Sequence, residues 1–324
     1  MALTLDLPCP ACGGRASTQL ATREDVLEEV ERLWAFHGRR LRPQVPPRQL
    51  MDRVVFSQDP ALRLATCDGC GTVLREPREG PDAIARRYAA EQPDERLLAS
   101  LFTAQRRAYG AQARRLTRVL GRAGSGLEVG SYVGAFLAAA RAGGWRFEGV
   151  DVNPAAVAFA CGKGMAARAG ALEQVDGSRR FDAVAIWNCF EQLPDPRAAA
   201  RQAAALLVPG GVLALRVPNG ACYRALRRML AGPLAAPAAA LLALNNLLSF
   251  PYRHGFTPHS LQLLLRGTGL TPVRVLGDVL VPTADRWTRG WAALEERVLK
   301  GGWRAPARLV PAAAPWLELY ARKR

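Results

Sequence analysis

Residues 127–151 read LEVGSYVGAFLAAARAGGWRFEGVD. A short apolar run is interrupted by Glu128 and closes at Val129 and Gly130. Ser131, Tyr132 and Val133 lead to Gly134, after which an apolar run of helical character extends to a Gly143-Gly144 break. Phe147 to Val150 form a second apolar run, and that run ends in Asp151. Strand, glycine turn, helix, strand and terminal acid make one βαβ unit, the opening unit of a parallel sheet.

In a Rossmann-like sheet such a unit holds a nucleotide-type ligand at the glycine turn. Dinucleotides rest a pyrophosphate on the turn and the helix N-terminus, and three glycines let the backbone approach it. Here only Gly130 and Gly134 are present, and Tyr132 stands where bare backbone is needed. A carboxylate at Glu128, beside the turn, repels a pyrophosphate and suits a ligand carrying an ammonium and a sulfonium. S-adenosylmethionine (SAM) has both cations and no phosphate. Asp151 suits the ribose hydroxyls of either ligand.

The elements that follow keep the alternation. Asn153-Pro154 starts a helix with proline in a favourable first-turn position. A third strand is expected near Ala167 to Ala169, before Gly170-Ala171-Leu172-Glu173, and a fourth from Phe181 to Trp187. The fourth runs into Asn188-Cys189-Phe190-Glu191-Gln192. A helix from Pro196 to Leu207, a turn at Pro209-Gly210-Gly211 and a fifth strand from Val212 to Val217 complete the series. Strands alternating with helices define an α/β fold with a doubly wound, largely parallel sheet.

Upstream stand two C-x-x-C pairs, Cys9/Cys12 in CPACGG and Cys67/Cys70 in CDGCG. Four thiolates on two tight turns satisfy tetrahedral zinc, and a closed all-cysteine site is structural. The pairs stand farther apart than the usual ribbon spacing of about 15–20 residues, and a helical insert accounts for the distance. Thr22 and Asp25 read as a capping box, followed by Val26, Leu27, Val30, Leu33, Trp34 and His37 at helical spacing. Pro43, Pro46 and Pro47 close that region, and a mixed segment through Phe56 leads to a ribbon strand at Leu62-Arg63-Leu64. Residues 81–120 read as two helices separated by Pro93. In the second, Leu97, Leu101, Ala104 and Ala108 are expected on one face beside Leu98, Phe102 and Tyr109, with Gly121 just past its end.

A net charge of +16 is carried almost wholly by arginine, since Lys163, Lys300 and Lys323 are the lysines. Such an imbalance suits nucleic acid or an anionic surface, but the arginines are scattered and alanine is abundant too, so coding bias is the simpler reading. The N-terminus lacks the pattern of a signal peptide. Leu230 to Phe250 is broken by Pro233 and Pro237 and falls short of the roughly 20 apolar residues of a spanning helix. A cytoplasmic chain is expected. The same run, with Phe250, Pro251, Tyr252 and the later Trp287, Trp291 and Trp303, leaves open a packed helical cap or peripheral contact with a membrane surface.

Taken together, LEVGSYVGAF, GVDVNP, FDAVAIWNCFEQLPDP, LVPGGVLALRVPN and HGFTPHSLQLLLRGTGL resemble the motifs of class I SAM-dependent methyltransferases of the small-molecule type. The run Pro315 to Tyr320 is similar to that family's last strand, so the resemblance implies a seven-stranded sheet whose final hairpin is separated by an insertion. The four-cysteine module is similar to one in bacterial sugar C-methyltransferase relatives, although the large helical insert departs from them. The organisation implied is a zinc-ribbon-like module at 1–80, a helical linker covering the cofactor at 81–120, and the methyltransferase domain at 121–324 with a lid at about 221–253. The resemblance places Glu128, Gly130, Ser131 and Gly134 around the methionine part of SAM, Asp151 on the ribose, and Val152 and Leu172 beside the adenine. Asn188 is implied at the methyl-transfer zone.

Related proteins often have Glu-His after the fourth strand; this chain has Glu191-Gln192. Glutamine takes up no proton near neutrality, so any base lies elsewhere or is not needed. His254 is the candidate, since a histidine's ordinary pKa of about 6.5 suits base work, with Glu191 and Asn188 as the other catalytic candidates and His259 read as a first-turn surface residue. The acceptor expected is a small molecule or a lipid- or glycan-linked one. The competing expectation is a zinc-stabilised protein that binds nucleic acid or a partner, or an RNA methyltransferase, with an idle or weakly active Rossmann domain.

Overall fold

The computed structural model describes residues 2–45, 63–78, 83–247, 253–280 and 288–324. The expectations on Pro46, Pro47, Phe56, Leu62, Phe250, Pro251, Tyr252 and Trp287 lie outside the described residues.

The chain opens with β1 (Ala2–Thr4) and β2 (Ala16–Ala21) and continues into α1 (Arg23–Gly38). The capping box is formed: Asp25 N–H donates to Thr22 Oγ1 at 3.1 Å and Thr22 N–H to Asp25 Oδ2 at 2.8 Å. Leu27, expected on the packed face, is exposed, and Glu29 is buried in its stead, because Tyr223 donates to its Oε2 at 2.8 Å and Arg227 pairs with it. The helix stops at Gly38, ahead of the prolines. Strands β3 (Arg63–Cys67) and β4 (Val73–Glu76) follow, then α2 (Ala83–Ala90) and α3 (Glu95–Leu120). Asp94 caps α3 and Gly121, at φ +91°, ends it in the left-handed conformation that glycine adopts without steric cost. Its buried face is Leu98, Leu101, Gln112, Ala113 and Leu116. Ala104, expected there, is exposed.

The alternating part comprises β5 (Ser125–Val129), α4 (Ala135–Ala142), β6 (Arg146–Asp151), α5 (Pro154–Gly162), β7 (Ala167–Ala169), β8 (Phe181–Trp187), α6 (Pro196–Leu206) and β9 (Leu207–Pro218). Pro209-Gly210-Gly211 is not a turn ahead of a strand. It lies inside β9, where the register jumps from Phe181↔Leu207 to Ala183↔Val212 and the extra residues bulge out. Next come α7 (Gly220–Met229), capped by Asn219, α8 (Ala235–Leu244), β10 (His254–Gly255), α9 (Pro258–Leu265), β11 (Leu270–Asp278), α10 (Gly290–Leu309) and β12 (Trp316–Lys323).

Two sheets result. A five-stranded sheet has the order β1-β2-β3-β4-β10, and a seven-stranded one the order β11-β12-β9-β8-β5-β6-β7. In the latter β5 pairs in parallel with both β6 and β8, so the chain builds outward on one side of β5 and then returns to the other. That reversal is the topological switch point at which ligands of open α/β sheets bind, beyond the carboxyl ends of the strands. The sheet is the seven-stranded, Rossmann-like one expected.

The chain divides into two compact units. One comprises Met1–Arg78, Val217–Leu264 and Leu276–Leu317; the other comprises Glu79–Arg216, Leu265–Val275 and Glu318–Arg324. In the second, Glu318 of β12 is wholly buried and accepts from Gln112 at 2.9 Å and Tyr320 at 2.9 Å while Arg115 pairs with it at 2.5 Å. Removing the carboxylate takes the acceptor from two buried donors, Gln112 and Tyr320, and the partner from the half-buried Arg115. Glu318→Ala is expected to cost about 3–5 kcal/mol, read as a lower midpoint in urea denaturation.

Candidate active site and four-cysteine centre

Every feature of the glycine turn is set by the end of β5. Gly130 turns the chain at φ +74°, and a methyl group there would lie 2.8 Å from both Cβ and Sγ of Cys189. The N–H groups of Gly130 and Ser131 both donate to Val150 O, at 2.9 and 3.1 Å, which ties the turn to β6. Tyr132 takes a left-handed φ of +44°, unfavourable for a side chain this large. Asp151 compensates: its Oδ2 accepts from Tyr132 N–H at 2.8 Å and its Oδ1 from Asn153 N–H at 2.9 Å. Gly134 then caps α4 at φ +72°.

Glu128 sits on β5 itself, 2% exposed, and among the described residues its Oε2 has no hydrogen-bond partner. Burial, with the Asp151 charge nearby, pushes its carboxyl well above the usual range. Burial also raises Asp151, against the pull of its two backbone donors. Ser131 turns its hydroxyl toward β6, where a methyl on Gly149 would fall 2.4 Å from Oγ. Val152 is half-buried beyond Asp151; Leu172 is 2% exposed in the short 3-10 turn Leu172–Gln174, its carbonyl accepting from Gln202 at 2.7 Å.

The loop after β8 carries the remaining groups. Asn188, at φ +55°, donates to Tyr109 OH at 3.3 Å, and its Oδ1 accepts from Arg216 at 3.4 Å. Glu191 is wholly buried, and burial pushes its carboxyl up to about 8 although Arg216 pulls it down. Gln192, in the place of the expected histidine, is a clamp: its Oε1 accepts from Tyr88 OH at 2.7 Å and its Nε2 donates to Asn188 O at 3.2 Å. Asn153 reinforces this from α5, donating to Tyr88 O at 2.7 Å and Glu91 O at 3.1 Å.

The second unit thus gathers Glu128, the Gly130–Gly134 turn, Asp151, Asn188 and Glu191 at the carboxyl ends of β5, β6 and β8. Tyr88, Tyr109, Cys189 and Arg216 join them without having been singled out from sequence. For Arg216 a signal existed: it is the charged residue inside the otherwise apolar VLALRV. His254 belongs to the first unit, 1% exposed in β10, which pairs His254 with Leu74 of β4. His259 is exposed in the first turn of α9.

The first unit holds the cysteines. Cys9, Cys12, Cys67 and Cys70 place their four sulfurs within 4.8 Å of one another, with Cys9–Cys70 at 3.6 Å and Cys12–Cys67 at 3.5 Å. The two turns repeat one backbone pattern. Cys9 N–H donates to Gly14 O and Gly13 N–H to Cys9 O; Cys67 N–H donates to Thr72 O and Gly71 N–H to Cys67 O. Gly13 and Gly71, at φ +79° and +74°, supply the left-handed residue each turn requires. Amides of Ala11 and Cys12 face the Cys9 sulfur, which, with the hydrogen bond from Cys70 as the largest cause, draws Cys9 down to about 5. Arg224 lays its guanidinium against Gly71 beside the cluster.

A seven-stranded sheet with its switch point at β5, a buried acid on that strand and a second acid bracing the glycine turn mark the carboxyl ends of β5, β6 and β8 as the candidate ligand site. The chain belongs to the methyltransferase-domain family, whose model matches residues 102–275, more than half of its length. Solved structures that it resembles include a SAM-dependent methyltransferase of Thermotoga maritima described as a possible histamine N-methyltransferase, at 16% identity over 71% of this chain and 97% of that one (TM-score 0.46). The N-methyltransferase NodS of Bradyrhizobium japonicum is 18% identical over 76% of this chain and 99% of its own (TM-score 0.43). An amino pentose methyltransferase of Micromonospora echinaspora is 27% identical over 39% of this chain and 57% of its own (TM-score 0.33). No curated protein matches the chain significantly.

The buried acids give a stability signature. A carboxyl whose folded pKa is raised binds its proton more tightly when folded, so its contribution is whole below about 4.5 and is lost as pH rises through the folded value. For Glu191 that window runs from about 4.5 to about 8. The free protein should lose on the order of 5 kcal/mol across it from this group, and Glu191→Gln should flatten the fall, as measured by urea midpoints against pH.

Proposed function

We propose that the chain transfers a methyl group from SAM to a small-molecule acceptor or to a lipid- or glycan-linked one. The observation that carries the reading is the buried Glu128 carboxylate, whose Oε2 lacks a donor among the described residues, beside a glycine turn braced by Asp151. A ligand ammonium would supply that donor and bring the raised carboxyl down. Gly130, Ser131 and Gly134 would border the methionine part. Each Asp151 oxygen keeps a lone pair for a ribose hydroxyl, and Val152 and Leu172 would flank the adenine. SAM, when bound, supplies an electrophilic methyl carbon on a sulfonium.

Asn188 and Glu191 are assigned to the acceptor side. Glu191 takes the proton that the acceptor loses as the new bond to carbon forms and the carbon–sulfur bond breaks. A carboxyl titrating near 8 suits that role at cellular pH. His254 is the other candidate base, and substituting each separates them. With Glu191 in the role, Glu191→Gln lowers kcat by roughly 10²–10⁴ and leaves SAM affinity intact, whereas loss of that size on His254→Gln moves the role to the histidine.

For the cysteine centre we propose structural zinc. Sulfurs about 2.3 Å from a tetrahedral ion stand about 3.8 Å apart, close to the distances of Cys9–Cys70 and Cys12–Cys67. Cys9, Cys12, Cys67 and Cys70 would hold it, leaving no coordination position for chemistry. Purified protein should contain about one zinc per chain by elemental analysis, and its removal should lower the melting temperature; protein without zinc refutes the assignment.

Saturable SAM binding is expected by calorimetry, with Asp151→Ala abolishing it through the released turn; absence of binding by the intact protein refutes the reading. Labelled SAM incubated with cell extract then assigns the acceptor by whether label enters small molecules, lipid or RNA. Binding of SAM with no transfer to any of them favours an idle domain serving a nucleic-acid- or partner-binding protein, the reading that Gln192 in the place of the expected histidine keeps open.

A further inference from the structure

Helix α10 carries apolar residues on both of its sides, with Leu299 and Trp303 packed inward. At about 100° per residue, Ala292, Glu296, Lys300 and Ala307 share one side, and all four are buried. That inner side carries a charged pair, with Lys300 donating to Glu296 at 2.5 Å. The opposite side carries Trp291, Leu294, Val298 and Leu309, which are 52, 63, 63 and 82% exposed. These four form one line along the helix, spanning about 27 Å at 1.5 Å per residue. Leaving an apolar line of this length in water is costly, and among the described residues nothing buries it.

Charge selects the occupant of that line. Arg297, Arg304 and Arg308 are exposed along one flank. The helix has two carboxylates, and both are committed: Glu296 to Lys300, and Glu295 to Arg40 at 2.5 Å. Arg40 also stacks between the Phe36 ring, 3.3 Å from its centroid, and the Trp291 ring, 5.4 Å away, which fixes the tryptophan at the start of the line. A second copy packed antiparallel across a two-fold axis would set arginine row against arginine row. An anionic bilayer meets both halves of the surface. Tryptophan and long-stemmed arginine are also the side chains that settle where headgroups meet acyl chains.

We propose that this face of α10 docks on an anionic lipid surface, its apolar line entering the headgroup–acyl boundary and its three arginines meeting lipid anions. The inference does not depend on the methyl-transfer reading. Full-length protein should sediment with phosphatidylcholine vesicles containing phosphatidylglycerol at least about tenfold more strongly than with phosphatidylcholine alone, and added salt should weaken it. The double variant Leu294→Asp/Val298→Asp and the triple variant Arg297→Gln/Arg304→Gln/Arg308→Gln should each lose about tenfold or more in partitioning. All five side chains are exposed, so unchanged thermal melting shows that the fold is retained. Equal partitioning of the parent and both variants, or no binding to either vesicle, overturns the proposal. A dimer in sedimentation velocity that the two aspartates dissociate, without vesicle binding, assigns the face to a second copy instead.

Discussion

The two hydrogen bonds that Asp151 accepts, from Tyr132 and Asn153, hold the site together. Tyr132 is in a backbone region that costs a large side chain roughly 1–3 kcal/mol, and the carboxylate stabilises it there. Without that acceptor the turn between β5 and α4 would keep the bonds of Gly130 and Ser131 to Val150 O and lose the one that holds Tyr132. The same acid starts α5, whose capping Asn153 reaches Tyr88 and Glu91 beside α2. One side chain therefore fixes the donor turn and, through its neighbour, the helix that carries Tyr88 to Gln192.

Charge is the second constraint. Glu128, Asp151 and Glu191 are buried in the same unit, and each is raised by loss of water. Arg216 is the cation that tempers Glu191. Such a grouping is poorly suited to a folded core and well suited to receiving a positively charged ligand, since a cation lowers the energy of every ionised acid around it.

Much of the sheet was legible in sequence because its strands are short apolar runs cut by glycine, proline and acid, and each cut has a local steric cause. The capping box at Thr22 and the αL glycine at Gly121 were legible for the same reason. What escaped depended on tertiary partners. Glu29 is inside because Tyr223 and Arg227, far along the chain, meet it. The bulge at Pro209-Gly210-Gly211 continues a strand because β8 supplies a partner on either side of it. Arg216 and Tyr109 reach the site by spatial proximity that no spacing encodes, and the departure at Gln192 became intelligible only with Tyr88 beside it.

The cysteine sheet has an unusual order of assembly. Its strand β4 follows Cys70 directly, yet one of its partners is β10, at His254–Gly255. During synthesis the knuckles and β1 to β4 leave the ribosome well before that edge partner exists. The intervening chain includes the whole alternating run from β5 to β9, which has its own local pairings. Until then the edge of β4 that pairs with β10 has no strand on it. A metal clamp that closes the knuckles early would keep β3 and β4 in register until residue 255 arrives.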